Sequence, residues 1–156
     1  MITVTNNFLH NQYFFSVYQR MHARDFPWSL CDTKNIKLRH DLVLGQGKYI
    51  SYYTPVLLSD ILKAIKPEVV LEAYACFYGT GSKIIEFTEE SAFLNDKKYK
   101  TLVLFFNSND GYFKIVGGDT VPSVENRAIL IDSPVPFIIS NCTKPGNQVV
   151  LTIHYQ

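Results

Sequence analysis

The stretch Tyr99-Lys-Thr-Leu-Val-Leu-Phe-Phe-Asn-Ser-Asn-Asp-Gly-Tyr-Phe-Lys-Ile-Val116 decides the fold. Two runs rich in β-branched and aromatic residues, Tyr99–Phe106 and Tyr112–Val116, flank a turn made of Asn, Ser, Asp and Gly. Those four residue types supply turn geometry and local side-chain hydrogen bonds, not ladder pairing. Working outward, Ala128–Asp132 and Val149–Tyr155 have the same β-rich character and are bounded by Asn, Asp, Gly or Pro. The C-terminal third therefore predicts an antiparallel β block, with Asn107–Tyr112 as its hinge.

The N-terminal half reads differently. Ile2–Val4 predicts a short strand. Phe14, Phe15, Val17, Tyr18 and Met21 recur at helical spacing, predicting a helix over 11–22 with Asn11 as its N-cap. Pro27 in Asp25-Phe-Pro-Trp28 ends that helix, and the two aromatics pack back on it as a corner. Ile36–Leu44 and Lys48–Tyr53 predict strands around the turn Gly45-Gln-Gly47. Leu57, Leu58, Ile61, Leu62 and Ile65 fall on one face of a second helix over 56–65. Thr54 or Ser59 would cap it, Pro55 suits its first turn, and Pro67 stops it. Glu68–Tyr78 predicts a long strand, Gly79-Thr-Gly-Ser82 a turn, and Lys83–Phe87 a further strand. Helices first and antiparallel strands afterwards predict an α+β, mainly β chain: a jelly roll with two N-terminal helices packed on one face.

Composition bounds the function. A chain of 156 residues, 47% hydrophobic and 14% aromatic, is long enough to bury a core and reads as a single domain over 1–156. A net charge of +1 lacks the concentrated basic surface that holds nucleic acid, and Lys97, Lys98 and Lys100 are too short a run to supply it. Cys31, Cys76 and Cys142 are odd in number and widely spaced, so they read as reduced, partly buried thiols. No apolar run reaches the roughly 18 residues of a membrane span, and the N-terminus has no leader pattern. The expectation is a soluble protein made in a cytoplasm, with no membrane or nucleic-acid partner.

Several pieces, in order along the chain, resemble one family. They are Asn7-Phe-Leu9, Asp25-Phe-Pro-Trp28, Leu71-Glu-Ala-Tyr-Ala-Cys-Phe-Tyr78, Leu104–Tyr112, Ser123-Val-Glu-Asn-Arg127, Asn141-Cys-Thr143 and the final strand. Together they are similar to the small, phage-encoded oxygenases that depend on 2-oxoglutarate and iron(II) and are related to prolyl hydroxylases. The resemblance implies a double-stranded β-helix of eight core strands supported by the helices. It also implies an iron centre of two histidines and one carboxylate, with a basic residue holding the far carboxylate of 2-oxoglutarate.

At each implied position this sequence departs from the family. Phe87 stands for the first histidine, Glu89 for the carboxylate, Phe137 for the second histidine and Gln148 for the basic residue. No histidine occurs between His40 and His154, so no choice of alignment supplies one. A glutamine can hydrogen-bond a carboxylate but lacks the charge and fork of arginine. The expectation is a protein that binds no metal and no cofactor and is not an enzyme.

Other constellations read as structure. His40 and Asp41 are adjacent, point to opposite faces of a strand, and read as a surface pair. Cys142 and His154 read as packing rather than a nucleophile with its base. Gly79-Thr-Gly81 lacks the Lys-Ser/Thr of a phosphate loop. Glu86, Glu89 and Glu90 read as a solvated acidic loop.

The functional expectation is thus an inactive oxygenase-fold module, binding other phage virion proteins or itself, in the virion or the host cytoplasm. Phe26, Trp28, Tyr52 and Tyr53 are its candidate interface residues. The alternatives are a divergent oxygenase using Glu89 with His154 or an altered metal site, and an early phage inhibitor of a host protein. Phe87 and Phe137 closing the barrel mouth would favour the binding module.

Overall fold

The computed structural model describes residues 1–45, 47–89, 98–132 and 135–156. In chain order its elements are β1 (Ile2–Thr5), α1 (Asn11–Met21), β2 (Ser29–Asp32), β3 (Lys37–Leu44), β4 (Lys48–Tyr49), α2 (Thr54–Ile65), β5 (Val70–Tyr78) and β6 (Glu86–Glu89). There follow β7 (Lys100–Phe105), β8 (Tyr112–Ile115), β9 (Thr120–Pro122), β10 (Ala128–Ile131), β11 (Phe137–Ser140) and β12 (Gln148–Tyr155). The larger sheet runs β1-β10-β7-β12-β5-β3-β2, with β4 paired to β3, and the smaller runs β6-β11-β8-β9. Every pairing is antiparallel. This is the predicted jelly roll with two helices.

Alternation along the strands divides the apolar residues into two cores. On β5 and β12, Ala73, Ala75, Val149, Leu151 and Ile153 face the helices, where they meet Phe14, Val17 and Met21 of α1 and Leu57, Leu58 and Ile61 of α2. Residues of the opposite parity, Tyr74, Cys76, Tyr78 and Val150, face the smaller sheet and pack with Phe113, Phe137 and Ile139. Each fully buried Leu or Ile contributes roughly 1.5–3 kcal/mol over an exposed one. The helices are therefore a lid on the back of the larger sheet, and the space between the sheets is where a site must lie.

Several local expectations are corrected. The N-cap of α1 is His10, whose ring accepts from the Gln12 N–H, not Asn11. Phe15, counted in the apolar stripe, is exposed. Residues 51–53 are not strand: Ser51 Oγ bonds both His40 Nε2 (2.7 Å) and the Tyr53 N–H (3.1 Å), turning the chain into α2. The residue before α2 is Tyr53, which makes no side-chain cap. The Thr54 hydroxyl instead donates to Leu42 O at 2.7 Å, anchoring the helix to β3. The strand expected at 83–87 starts three residues later, as β6.

The resembling pieces touch one another. Asn126, in the left-handed region at φ 57, accepts from the Leu9 N–H and donates to Leu9 O, stitching the Asn7–Leu9 piece to the Ser123–Arg127 piece. Asp110 accepts from the Thr143 N–H, the Thr143 hydroxyl and the Lys144 N–H, joining the hinge to the Asn141–Thr143 piece.

Candidate functional site

Cross-strand register, not sequence proximity, assembles the space between the sheets. Lys37, Arg39 and Asp41 of β3 lie opposite Tyr78, Cys76 and Tyr74 of β5. The same β5 face continues to Glu72, which lies opposite His154 of β12, and His154 lies opposite Thr101 of β7. Directly opposed residues of an antiparallel pair project to the same side, so a polar ladder crosses the inner face of the larger sheet. On the smaller sheet, Glu89 lies opposite Phe137 and Phe87 opposite Ile139. Phe87, Glu89 and Phe137 therefore share one inward face.

Glu89 is the centre of this arrangement. Only 5% exposed, it forms an ion pair with Lys37 Nζ. Its Oε1 also accepts from the Tyr78 hydroxyl at 2.8 Å, and its Oε2 from the Tyr74 hydroxyl at 3.5 Å. Burial, first of all, pushes both phenols well above the usual tyrosine range, and neighbouring negative charge adds to the shift, so each keeps its proton and stays a donor. The Lys37 ammonium lies 5.4 Å from the Tyr78 ring centroid and 5.6 Å from that of Phe87. Cation–π attraction from two rings thus supplements the carboxylate. Phe137 is buried against Phe113 with centroids 5.4 Å apart, and Phe87, half-buried, packs on Tyr78 at 5.0 Å.

A second group sits further along the ladder. Arg39 donates to Asp41 (2.6 Å) and Glu72 (2.8 Å), and its guanidinium lies 3.7 Å from the Tyr74 ring centroid. Burial works against its charge, but the bond to Asp41 and the two carboxylates more than restore it. His154 Nδ1 is 2.9 Å from the Thr101 hydroxyl, and its Nε2 lies 4.0 Å from Glu72 Oε2, beyond hydrogen-bond reach. Burial lowers its pKa to about 4, with Arg39 contributing, so it is neutral at pH 7.

Gln148 is fully buried on β12, directly opposite Tyr78 of β5, and borders the hinge. Ser123 Oγ lies 2.7 Å from Asn107 O and 2.9 Å from the Gln148 amide. A serine hydroxyl has one proton to give. Donated to Asn107 O, it leaves Ser123 Oγ an acceptor, and a 180° turn of the Gln148 amide puts its NH2 group there. That assignment gives a partner to a buried Nε2 that otherwise has none among the described residues. Gln148 is thus committed to the hinge.

The other sequence candidates are dispersed. Phe26 is buried and so is no part of a surface, and it packs on Trp28 (4.7 Å), His40 (4.9 Å) and Tyr53 (5.3 Å). Trp28 and Tyr53 are half-buried in this corner, and Tyr52 is 91% exposed. His40 and Asp41 do diverge, but not as a surface pair: His40 bonds Pro27 O and Ser51, and Asp41 bonds Arg39. Cys142 meets Thr80 and Lys144 O, not His154. Tyr74, which contacts both Glu89 and His154, separates those two. The acidic loop is also revised: Glu86 pairs with Lys114 at 2.6 Å on the outside, Glu89 is buried, and Glu90 lies outside the described residues. Of the cysteines, Cys76 and Cys142 are buried and Cys31 is exposed, and all three are free. Burial pushes the Cys76 thiol up to about 12, leaving it unreactive.

No family model matches the sequence, and no curated protein matches it. Solved structures do match. A prolyl-4-hydroxylase from Pseudomonas putida is similar with a TM-score of 0.65 at 14% identity, over 99% of this chain and 91% of its own. A prolyl hydroxylase from Trichoplax adhaerens, solved with a peptide of the hypoxia inducible factor oxygen degradation domain, gives 0.67 at 11%, over 99% and 82%. An oxidoreductase of the 2OG-Fe(II) oxygenase family from Burkholderia pseudomallei gives 0.67 at 8%, over 99% and 84%. At such identities the likeness shows the fold: this chain has the jelly roll of the 2-oxoglutarate oxygenases.

The described residues do not fit an iron ion. Among the described residues, no cluster of three His, Cys, Asp or Glu side chains is placed to hold a metal. The one carboxylate on the inward face of β6 is already neutralised by an ammonium, and its two nearest inward-facing neighbours there are phenylalanines. Iron(II) needs several N or O donors and open positions beside them.

Proposed function

We propose that this protein is a catalytically inactive member of the oxygenase fold, acting as a binding or structural module. The observation that carries the reading is the Lys37–Glu89 ion pair set among Phe87, Phe137, Tyr74 and Tyr78. Where a metal-dependent enzyme needs imidazoles and open coordination positions, this chain supplies apolar bulk and an internal cation. The resemblance to phage-encoded oxygenases further supports a role beside other phage proteins, associated with the virion.

Thermal unfolding of the full chain tests the first part. Manganese(II) or anaerobic iron(II), with and without 2-oxoglutarate, is expected to leave Tm unchanged. A saturable rise of several degrees with both present would overturn it. Mass spectrometry of purified particles of the phage carrying the gene tests the second part, and the chain is expected there in stoichiometric amount.

A further inference from the structure

We infer that the inward face of the barrel is a primary-ammonium site, and that the Lys37 side chain is its tethered occupant. The inference deepens the proposed function and rests on it, because it assigns what takes the space that a metal does not.

Four observations on different strands converge. Glu89 comes from β6, on the smaller sheet, whereas Lys37 comes from β3, on the larger. The ion pair therefore spans the gap between the sheets. Tyr78, the direct cross-strand partner of Lys37, donates to the same carboxylate oxygen that the ammonium touches. Two aromatic rings, Tyr78 and Phe87, have their centroids 5.4 and 5.6 Å from the ammonium. Lys37 is mostly buried, its side chain 15% exposed, so the long apolar stem is packed and its head is out of bulk water. A carboxylate with phenol donors fixed on it, walled by aromatic rings, matches an ammonium in charge and in donor direction.

The chemistry selects within that class. Contact with the carboxylate needs an N–H donor, so a primary alkylammonium fits. A quaternary ammonium keeps the charge and the cation–π attraction but has no proton to donate and is bulkier. Guanidinium, planar and forked, would engage both carboxylate oxygens in one plane, where Tyr78 and Tyr74 already donate.

Cutting the tether tests the inference. In the full-length K37A variant the cage is left with an unpaired buried carboxylate, so Tm is expected to fall by several degrees. Propylammonium chloride is expected to restore most of that loss in a saturable way. Tetramethylammonium chloride and sodium chloride at equal ionic strength are expected to restore little. The K37A/E89Q variant, which has no carboxylate, is expected not to respond to propylammonium. Equal response to all three salts, or none, would overturn the proposal. If K37A does not fold alone, refolding yield gives the same reading: recovery with propylammonium only supports the site, and recovery with all or none of the salts removes it. The wild-type response to metal and 2-oxoglutarate is a separate readout. If wild type is stabilised by them, the inactive-module reading fails whatever K37A does. If wild type ignores them and K37A is not rescued, only the ammonium site fails.

Discussion

His154 shows what a single buried residue contributes when its hydrogen-bond partner among the described residues is a hydroxyl. Its side chain is buried on the inner face with Thr101, Glu72, Tyr74, Tyr99 and Arg39 around it. Folding lowers its pKa from 6.5 to about 4, mainly by burial. Between those values the unfolded chain binds a proton that the folded chain refuses. Stability from this residue is therefore complete above pH 6.5 and is lost as pH falls toward 4. The gap corresponds to about 3 kcal/mol. H154Q keeps a polar side chain without the titration. Urea unfolding at pH 7 and pH 4.5 is expected to show wild type losing about 2 kcal/mol more than H154Q over that interval. Equal losses would mean that the imidazole finds a partner, with Glu72 the nearest carboxylate, and charges inside the fold.

At the scale of the element, the turn Asn107–Tyr112 does more than reverse the chain. Asn107 O accepts from Ser123, Asn107 Oδ1 accepts from the Val149 N–H, Asn109 donates to Asn147 O, and Asp110 gathers Thr143 and Lys144. Gly111 makes this possible: a Cβ there would lie 2.8 Å from Asn141 O and 3.1 Å from Gln148 Cδ. The first is backbone that the β11–β12 connection holds in place, so G111A must push the two loops apart. It is expected to cost about 1–3 kcal/mol, read as a lower urea midpoint with an unchanged m-value. The sequence showed this turn as punctuation because turn residues announce themselves locally, whereas these partners lie 16–42 residues away. The long strands were legible for the same local reason, since β5, β7 and β12 are dense in β-branched and aromatic residues. Ser29–Asp32 and Thr120–Pro122 were not: they are short, mostly exposed edge strands with little apolar pattern to read. Lys37 was missed in a more instructive way. Lys37, Arg39 and Asp41 alternate with Leu38, His40 and Leu42, and such a pattern normally marks a solvent face. The charged face turns inward here because Glu72 and Glu89 meet it there, and periodicity reports a face without naming its partners.

At the scale of the whole molecule, the fold is the jelly roll of the oxygenases, and side chains from four strands, Lys37, Tyr78, Glu89 and Phe137, meet on its inner faces. Phe87 and Glu89 share one face of β6, and Phe137 stands directly across from Glu89 on β11. Two imidazoles at the phenylalanine positions would thus flank the carboxylate, which is the donor set of a facial two-histidine, one-carboxylate centre. The remaining obstacle is electrostatic, because the Lys37 ammonium already touches Glu89 and would repel a divalent ion. F87H/F137H/K37M is therefore expected to bind cobalt(II) or nickel(II) with one-to-one stoichiometry by calorimetry, with a saturable rise in Tm. F87H/F137H, retaining Lys37, is expected to bind at least about tenfold more weakly, about 1.4 kcal/mol, since the metal must displace or discharge the ammonium. Wild type and K37M, which lack the imidazoles, are expected not to bind. If the two histidine variants bound metal equally, the ammonium could not be lying where a metal would sit, and the Lys37–Glu89 pair would be no obstacle to a metal there.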